Sequence, residues 1–385
     1  MSLTSLASAL ELRERLGADQ FVTRIDGPAG QWGHVDGAIV NRTTNFFSIV
    51  GRRVPGGDQF FIRQEEQALV GLVIAGPPNQ RSLLLTARAE PGLHGACQFS
   101  TTVQSTPSNY ERRHGGAATP MLETILEPGR DATVLHDSVQ YDWGQYYHLK
   151  TKRFVVVEVP RTVPVPEPLM WVDAASADKI RTEDFLTTTD LRVALALLAA
   201  SDAQRANGDA VGASLELPPA EAVAGADIPL EDGDAWNVTP GGIVRHDGAR
   251  ELLWVHTRSA SREVREWIQP LVGVRDPLAT TLPVRHGAAG LEVAISAGSQ
   301  EGLDGRTLWF PAKFTGGELL RRGHYSAEGG RFWQHEVIAE VVMGADVGDA
   351  RWVPLGTVER LALTSLATSV ELRLLLSLIQ PGPED

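Results

Sequence analysis

The chain has 385 residues, enough for two domains of ordinary size, and its 43% hydrophobic and 22% charged residues are the balance of a globular protein. A formal net charge of −13 argues against nucleic acid as a partner, because phosphate backbones are bound by clustered positive charge. No apolar run approaches the ~20 residues that cross a bilayer, so no membrane partner is expected. The lone cysteine, Cys97, excludes a disulfide framework and a thiolate metal site.

The chain begins with a segment that is typical of an amphipathic helix. Residues 1–16 alternate leucine with small and charged residues. They lack the basic and apolar regions of a signal peptide, so we expect a cytoplasmic protein.

Short β-rich runs follow, and helical spacing closes the first half. Residues 37–54 alternate as a strand does, and residues 69–75, 82–87 and 154–159 are apolar runs bounded by Gly, Pro or charge. Residues 170–200 carry helical spacing, with an N-cap expected at residues 187–190. The pattern predicts a mostly antiparallel, curved sheet closed by a C-terminal helix or helix pair, an α+β plan.

The same landmarks recur in order in the second half. Trp171 stands as far before Asp190 as Trp352 stands before Glu371, and each acidic residue is followed by Leu-Arg. Gly92-Leu93-His94-Gly95 corresponds in the same way to Gly302-Leu303-Asp304-Gly305. We interpret the chain as a tandem duplication with a first domain at residues 1–202, an Ala/Gly/Pro-rich linker at 203–235 and a second domain at 236–385.

Several catalytic motifs are missing from the sequence. There is no G-x-G-x-x-G, P-loop, His-Glu-x-x-His or Gly-x-Ser-x-Gly. Tyr146 and Lys150 have the Tyr-x-x-x-Lys spacing of some dehydrogenases, but they run into a predicted strand, so we interpret the spacing as coincidence. The histidines are scattered without ligand spacing, and we expect neither a metal nor a cofactor.

Residues 88–123 form the densest polar stretch. Guanidinium groups suit a diphosphate, amides and hydroxyls suit a sugar or base edge, and carboxyl, phenol and imidazole groups can move protons. The residues of these three classes are Arg88 and Arg112; Thr102, Gln104 and Asn109; and Glu90, Tyr110 and His114. A solvated loop is the alternative. The second half has Gly298-Ser299-Gln300-Glu301-Gly302 in place of Arg88-Ala89-Glu90-Pro91-Gly92, so we expect the site in the first half and a degenerate second domain.

These blocks resemble the NDP-hexose 2,3-dehydratases of deoxysugar and antibiotic biosynthesis. The resemblance rests on residues 37–51, 87–92 and 102–116, and continues more weakly through Arg262-Glu263-Val264, Trp267-Ile268-Gln269-Pro270 and residues 328–332. It implies two Nudix-like domains of mixed or antiparallel sheet with flanking helices, a homodimer, and no need for metal. Near Gln140 the chain departs from the family pattern and reads Tyr141-Asp142-Trp143-Gly144.

The reaction implied by the resemblance is loss of the C2 hydroxyl, as water, from a dTDP-4-keto-6-deoxyhexose. On this hypothesis Glu90 or His114 transfers the proton, and Tyr110 binds the oxyanion or the leaving group. Arg42, Arg88 and Arg112 bind phosphate, while Thr102, Gln104 and Asn109 bind the sugar. Two alternatives remain open: another cofactor-free lyase or epimerase acting on a 4-keto nucleotide sugar, or a catalytically silent binding subunit.

Overall fold

The computed structural model describes residues 3–44, 46–113, 115–207, 225–288, 290–311 and 313–379. Within these ranges the chain forms mixed β-sheets with a smaller number of α-helices, so the α+β prediction is confirmed. No helix in the same ranges combines the length and the apolar character needed to cross a membrane.

The first half of the chain forms two sheets. Sheet I has the order β11-β5-β4-β3-β2, and sheet II has the order β10-β12-β6-β7-β13, with β8 on β7 and β9 on β6. Their strands are β2 (Trp32–Val35), β3 (Ala38–Asn41), β4 (Ser48–Val54), β5 (Gly57–Arg63), β6 (Ala68–Ala75), β7 (Ser82–Ala89), β8 (Cys97–Ser100), β9 (Val103–Ser105), β10 (Thr133–Tyr141), β11 (Tyr147–His148), β12 (Thr151–Val159) and β13 (Leu169–Asp173).

The second half forms two sheets of the same design. Sheet III has the order β15-β16-β17-β18-β23, and sheet IV has the order β21-β20-β19-β24-β22, with β25 on β20. Their strands are β15 (Trp236–Thr239), β16 (Gly242–Arg245), β17 (Arg250–Ser259), β18 (Glu266–Val274), β19 (Leu278–Gly287), β20 (Gly290–Ser299), β21 (Arg306–Trp309), β22 (Glu318–Ser326), β23 (Phe332–Trp333), β24 (Glu336–Met343) and β25 (Arg351–Pro354).

Most strand pairings of the first half recur in the second, except that β9 on β6 has no counterpart on β19 among the described residues. In the first half, β12 follows the short strand β11 and runs parallel to β6. In the second half, β24 follows the short strand β23 and runs parallel to β19. Most other pairs are antiparallel.

The two halves also exchange a strand. Strand β1 (Gln20–Ile25), from the first half, pairs with β17 of sheet III. Strand β14 (Ala226–Ile228), from the segment before the second half, pairs with β4 of sheet I. Sheet III is therefore extended by a strand of the first half, and sheet I by a strand of the predicted linker.

The helices are those that the sequence predicts, with smaller additions. They are α1 (Leu6–Ala18), α2 (Pro107–Tyr110), α3 (Leu122–Leu126), α4 (Ala174–Thr182), α5 (Thr189–Asn207), α6 (Leu355–Leu363) and α7 (Val370–Ile379). The predicted N-cap is confirmed, since Thr188 Oγ1 accepts a hydrogen bond from the backbone N–H of Leu191 at 3.3 Å. Ser369 Oγ caps α7 in the same way, at 3.1 Å from the N of Leu372.

Three predictions of local structure need correction or qualification. The helix predicted from residue 170 begins only at Ala174, where Asp173 caps α4. Residues 170–173 belong to strand β13 of sheet II, in which Trp171 is buried. Residues 37–54 form two strands joined by a turn. In the predicted linker, residues 203–207 continue α5 and residues 226–228 form β14, while residues 208–224 lie outside the described residues.

Two glycines bring the halves into close backbone contact. Gly92 donates from its N–H to the carbonyl oxygen of Gly329 at 2.8 Å, and Gly302 donates to that of Gly144 at 2.7 Å. A Cβ at residue 92 would overlap the carbonyl oxygen of Phe332, so only glycine fits there without a shift of the backbone. The largest hydrophobic core cluster likewise contains residues of both halves.

Candidate active site

A cleft of about 630 Å³ lies where the two halves meet. The first half lines it from sheets I and II and from the start of α5, and the second half lines it from the β17–β18 hairpin and the turn before β23. The residues that carry chemistry are, from the first half, Gln64, Arg88, Glu90, Gln104, Asn109, Arg113, Lys152 and Asp190, and from the second, His256, Arg262, Glu263, Glu266, Gln269, Glu328 and Arg331.

One part of the cleft wall is aromatic. Trp32, Phe46 and Trp267 line it, and Trp32 is held in place because its Nε1 donates to the carbonyl oxygen of Ile268 at 2.7 Å. The guanidinium of Arg331 lies over Phe46, with 4.6 Å between its carbon and the ring centroid. Flat apolar surface beside a fixed cation suits a ligand that has both a planar ring and negative charge.

A buried ion pair joins the two halves in the cleft. Arg88 Nε donates to Glu90 Oε1 at 2.7 Å, and Arg262 Nη1 lies 3.3 Å from the same oxygen. Burial raises the pKa of Glu90, but the guanidinium groups of Arg88 and Arg262 outweigh burial and hold the pKa below its ordinary value. Glu90 is therefore a carboxylate at neutral pH.

A second cluster of charges, which we call the lysine–carboxylate cluster, consists of Lys150, Lys152, Asp142, Asp190 and Glu328. Lys152 Nζ lies 2.8 Å from Asp190 Oδ1 and 3.1 Å from both Asp142 Oδ2 and Glu328 Oε2. Lys150 Nζ lies 3.0 Å from Asp142 Oδ2 and 2.8 Å from Glu328 Oε2. Buried charges of this kind are stable only when they are paired, and here every ammonium has carboxylate partners.

Protonation within this cluster follows from the pairing. Burial raises the pKa of Glu328, but the ammonium groups of Lys150 and Lys152 outweigh burial and hold it well below its ordinary value. Burial lowers the pKa of Lys152, but Asp142 and Asp190 outweigh it and raise the pKa well above its ordinary value. Glu328 and Lys152 are therefore both charged at neutral pH.

The structure brings four of the predicted site residues together. Arg88, Glu90, Gln104 and Asn109 all line the cleft. Gln104 is fixed at both ends of its amide, since Nε2 donates to Asp190 Oδ2 at 2.7 Å and Oε1 accepts from Ser100 Oγ at 2.9 Å.

The other predicted residues are placed differently. Thr102 Oγ1 donates to the carbonyl oxygen of Leu84 at 2.6 Å inside sheet II, and Tyr110 packs against the apolar residues of that sheet. Arg112 Nε donates to the carbonyl oxygen of Gly116 at 3.0 Å, and Arg42 is exposed on the turn after β3. None of these four side chains lines the cleft, and His114 lies outside the described residues.

The prediction that the site lies in the first half alone is incomplete. Arg262, Glu263, Glu328 and Arg331 complete the cleft from the second half. Their sequence blocks, residues 262–264, 267–270 and 328–332, were already visible as part of the resemblance, and that was the signal for them. Lys152 and Asp190 gave no such signal, because they stand on different elements and meet only through the fold.

Comparison with known proteins shows what the chain is similar to. The profile of the NDP-hexose 2,3-dehydratase family matches residues 23–198. A dTDP-4-dehydro-6-deoxy-alpha-D-glucopyranose 2,3-dehydratase of Streptomyces violaceoruber is 28% identical over 90% of this chain and 90% of its own length. Proteins of the same name from Saccharopolyspora spinosa and Amycolatopsis orientalis are 28% and 29% identical over 69% and 62% of this chain, and 62% and 54% of their own lengths. The first half of the chain is therefore similar to the NDP-hexose 2,3-dehydratase family, and the chain is similar to these three relatives.

Proposed function

We propose that the chain removes the C2 hydroxyl, as water, from dTDP-4-keto-6-deoxyglucose in deoxysugar biosynthesis. The names of the three relatives support this substrate. The structural observation that carries the proposal is the cleft itself, which combines an ionised carboxylate, several guanidinium groups and an aromatic wall. These are the groups that a nucleoside diphosphate sugar and a proton abstraction require.

The chemistry needs three groups. The C4 ketone of the substrate acidifies the hydrogen on C3, and the C2 hydroxyl is then a β leaving group. A base must take the C3 proton, a positive or donor group must face the C4 oxygen, and an acid must protonate the departing hydroxyl. No hydride moves in this reaction.

Glu90 is our candidate for the base. It lines the cleft, and Arg88 and Arg262 keep it ionised while fixing the direction of its carboxylate. The same two arginines place positive charge beside the carbon that loses its proton, where an enolate would develop. Gln104 and Asn109 are our candidates to orient the sugar hydroxyls, since both carry an amide and both line the cleft.

The diphosphate requires guanidinium groups that face the cleft. Arg113 lines the cleft with its side chain 57% exposed, and Arg331 faces the cleft from the second half. We assign the diphosphate to this pair together with Arg88, because a guanidinium donates two parallel hydrogen bonds to phosphate oxygens. Arg42, Arg112, Thr102 and Tyr110 do not line the cleft, so we assign none of them to substrate binding or catalysis.

Our proposal also includes the tandem duplication, the homodimer, the cytoplasmic location and the biosynthetic pathway. The matching strand orders of the two halves and their matching helix caps support a tandem duplication of a Nudix-like domain. A homodimer that serves antibiotic biosynthesis is what the resemblance to the family implies, and the cytoplasmic location stays a prediction.

The proposal is tested by incubating the purified protein with dTDP-4-keto-6-deoxyglucose in deuterated buffer, followed by mass spectrometry and NMR. We expect loss of one water, or free dTDP with the degraded ring of an unstable 3,4-diketo sugar. Deuterium entering the sugar without loss of water would favour an epimerase instead. A sugar that binds and returns unchanged would favour a silent binding subunit.

A further inference from the structure

Asp190 is a carboxylate of the cleft to which the sequence assigned no role. It stands in the first turn of α5, its side chain is 5% exposed, and it lines the cleft beside Gln104 and Lys152. The reaction proposed above leaves one position unfilled, the acid that protonates the departing hydroxyl. Resting on that proposed function, we propose that Asp190 is this acid and that Lys152 is the positioning residue that holds it.

Asp190 is one of three carboxyl groups in the lysine–carboxylate cluster. These three groups face two ammonium groups, and further positive charge comes from Arg331, which interacts with Glu328, and from Arg373, which interacts with Asp142 and Asp190. Glu328 Oε2 accepts from both lysines and from the hydroxyl of Tyr147 at 3.1 Å. Asp142 faces both lysines and does not line the cleft.

The hydrogen-bond partner of Asp190 is suited to both protonation states. Gln104 donates to the carboxylate through Nε2 and accepts from Ser100 Oγ through Oε1. After rotation of its amide by half a turn, Gln104 accepts from a protonated Asp190 and donates to the oxygen of Ser100. An amide can serve in either direction, whereas a second lysine or arginine in its place would fix the carboxylate form.

Burial and the neighbouring carboxylates raise the pKa of Asp190 above its ordinary value. Burial raises the pKa of Asp190, and the negative charges of Glu328 and Asp142 raise it further, against the opposing charge of Lys152. Arg373, on α7, is the other charged group near enough to interact with it. In the same cleft the pKa of Glu90 is lowered. Two carboxyl groups of one site whose pKa values are shifted in opposite directions suit the acid and the base of an elimination.

The second half of the chain shows that the lysine is not required by the fold. Glu371 follows the cap of α7 as Asp190 follows the cap of α5, and Gln300 Nε2 donates to Glu371 Oε1 at 3.0 Å. Lys152 is the first residue of β12 that pairs with β6. The corresponding residue of the second half, the first of β24 that pairs with β19, is Val337. The buried carboxyl of Glu371 thus needs no lysine beside it. We therefore assign Lys152 to positioning Asp190 in the cleft and not to stabilising the fold.

The step balances in protons and electrons. Glu90 takes the C3 proton, and the electron pair of that C–H bond forms the enolate with the C4 oxygen. As the enolate collapses, the C2–O bond breaks, and the hydroxyl leaves as water with the proton of Asp190. The resulting 3-enol loses its hydroxyl proton and gains one at C2, which gives the diketo sugar, and solvent returns a proton from Glu90 to Asp190.

The test compares two leaving groups. Wild type, Asp190→Asn and the matched control Glu371→Gln are each given the natural substrate and its 2-deoxy-2-fluoro analogue, and release of water and of fluoride is measured. Fluoride departs without prior protonation, so only water loss needs an acid. We expect Asp190→Asn to slow water loss by about 10²- to 10⁴-fold while fluoride release stays within a few fold of wild type. We expect Glu371→Gln to resemble wild type on both substrates.

Other outcomes overturn the proposal in distinguishable ways. An equal loss on both substrates would make Asp190 a structural residue, and no loss on either would remove it from the reaction. Wild type that releases neither water nor fluoride would overturn the proposed function itself. If Asp190→Asn does not fold, the pH profile of wild type decides. Water loss should then decline at high pH as Asp190 loses its proton, and fluoride release should not, whereas parallel profiles would overturn the proposal.

Discussion

The guanidinium carbon of Arg331 lies 4.2 Å from the centroid of the Phe47 ring, so a cation of the second half rests on an aromatic ring of the first. A related contact again joins a cation of the second half to a ring of the first, since the guanidinium of Arg250 lies 4.7 Å from the centroid of the Tyr146 ring. Tyr146 and Arg331 precede the short strands β11 and β23, while Phe47 and Arg250 stand at the starts of β4 and β17. In one contact the cation stands before the short parallel strand, and in the other the ring does. Of the two arginines, only Arg331 lines the cleft.

This difference yields a matched pair of variants. Arg331→Met removes a positive charge from the cleft, and we expect the dissociation constant for dTDP to rise about tenfold, as the loss of roughly 1–2 kcal/mol of cation–aromatic and charge interaction implies. Arg250→Met removes the related contact away from the cleft and should leave that constant unchanged. Isothermal titration calorimetry measures both, and an equal weakening in the two variants would contradict the assignment.

Glu90→Gln tests the base. We expect the variant to fold, because the related position of the second half already carries a glutamine, Gln300, which accepts from the N–H of Gly144 at 3.0 Å. Loss of the carboxylate should lower kcat/KM by about 10²- to 10⁴-fold and abolish exchange of the C3 hydrogen with solvent deuterium. NMR of the sugar measures the exchange. Rapid exchange in the variant would assign the base to another residue.

Gly92→Ala tests the contact between the halves. The added methyl group meets the carbonyl oxygen of Phe332, so we expect the free energy of unfolding to fall by roughly 3 kcal/mol. Gly129→Ala is the control, because a Cβ at residue 129 has open space around it. Urea unfolding followed by tryptophan fluorescence measures both variants. Equal stability of the two would mean that the backbones can separate there without cost.

A pH dependence of stability is expected from Glu371. Burial raises its pKa from 4.5 to about 7, so its charged form is disfavoured in the folded state. The stability that comes from the neutral form is present below pH 4.5 and is lost as the pH rises towards 7, on the order of 3 kcal/mol in all. Unfolding of wild type and of Glu371→Gln at several pH values should show a difference that grows in this window and is constant above it. A pH-independent difference would contradict the raised pKa.

Sequence patterns were sufficient where the signal is local. The strands at residues 69–75, 82–87 and 154–159 and the cap at Thr188 follow from periodicity and residue type. Arg88, Glu90, Gln104 and Asn109 could be found because they are close in sequence. Residue type alone could not show that the hydroxyl of Thr102 is used inside sheet II.

The parts that sequence could not supply depend on contacts over long distances. Glu328 and Lys152 are brought together by the meeting of the two halves, and no spacing along the chain encodes that pair. The strand exchange was hidden for the same reason, since the partner of an edge strand is chosen by the tertiary fold.

The exchange of β1 and β14 should prevent the two halves from dissociating after the chain is cut between them. A protease that cuts the chain between residues 207 and 225 would leave two fragments that still hold each other through β1 on β17 and β14 on β4. Neither fragment can leave without exposing a bare sheet edge in both, so the nicked chain should remain one particle and melt in one step. The gene could be split at this point into two reading frames whose products reassemble a working cleft.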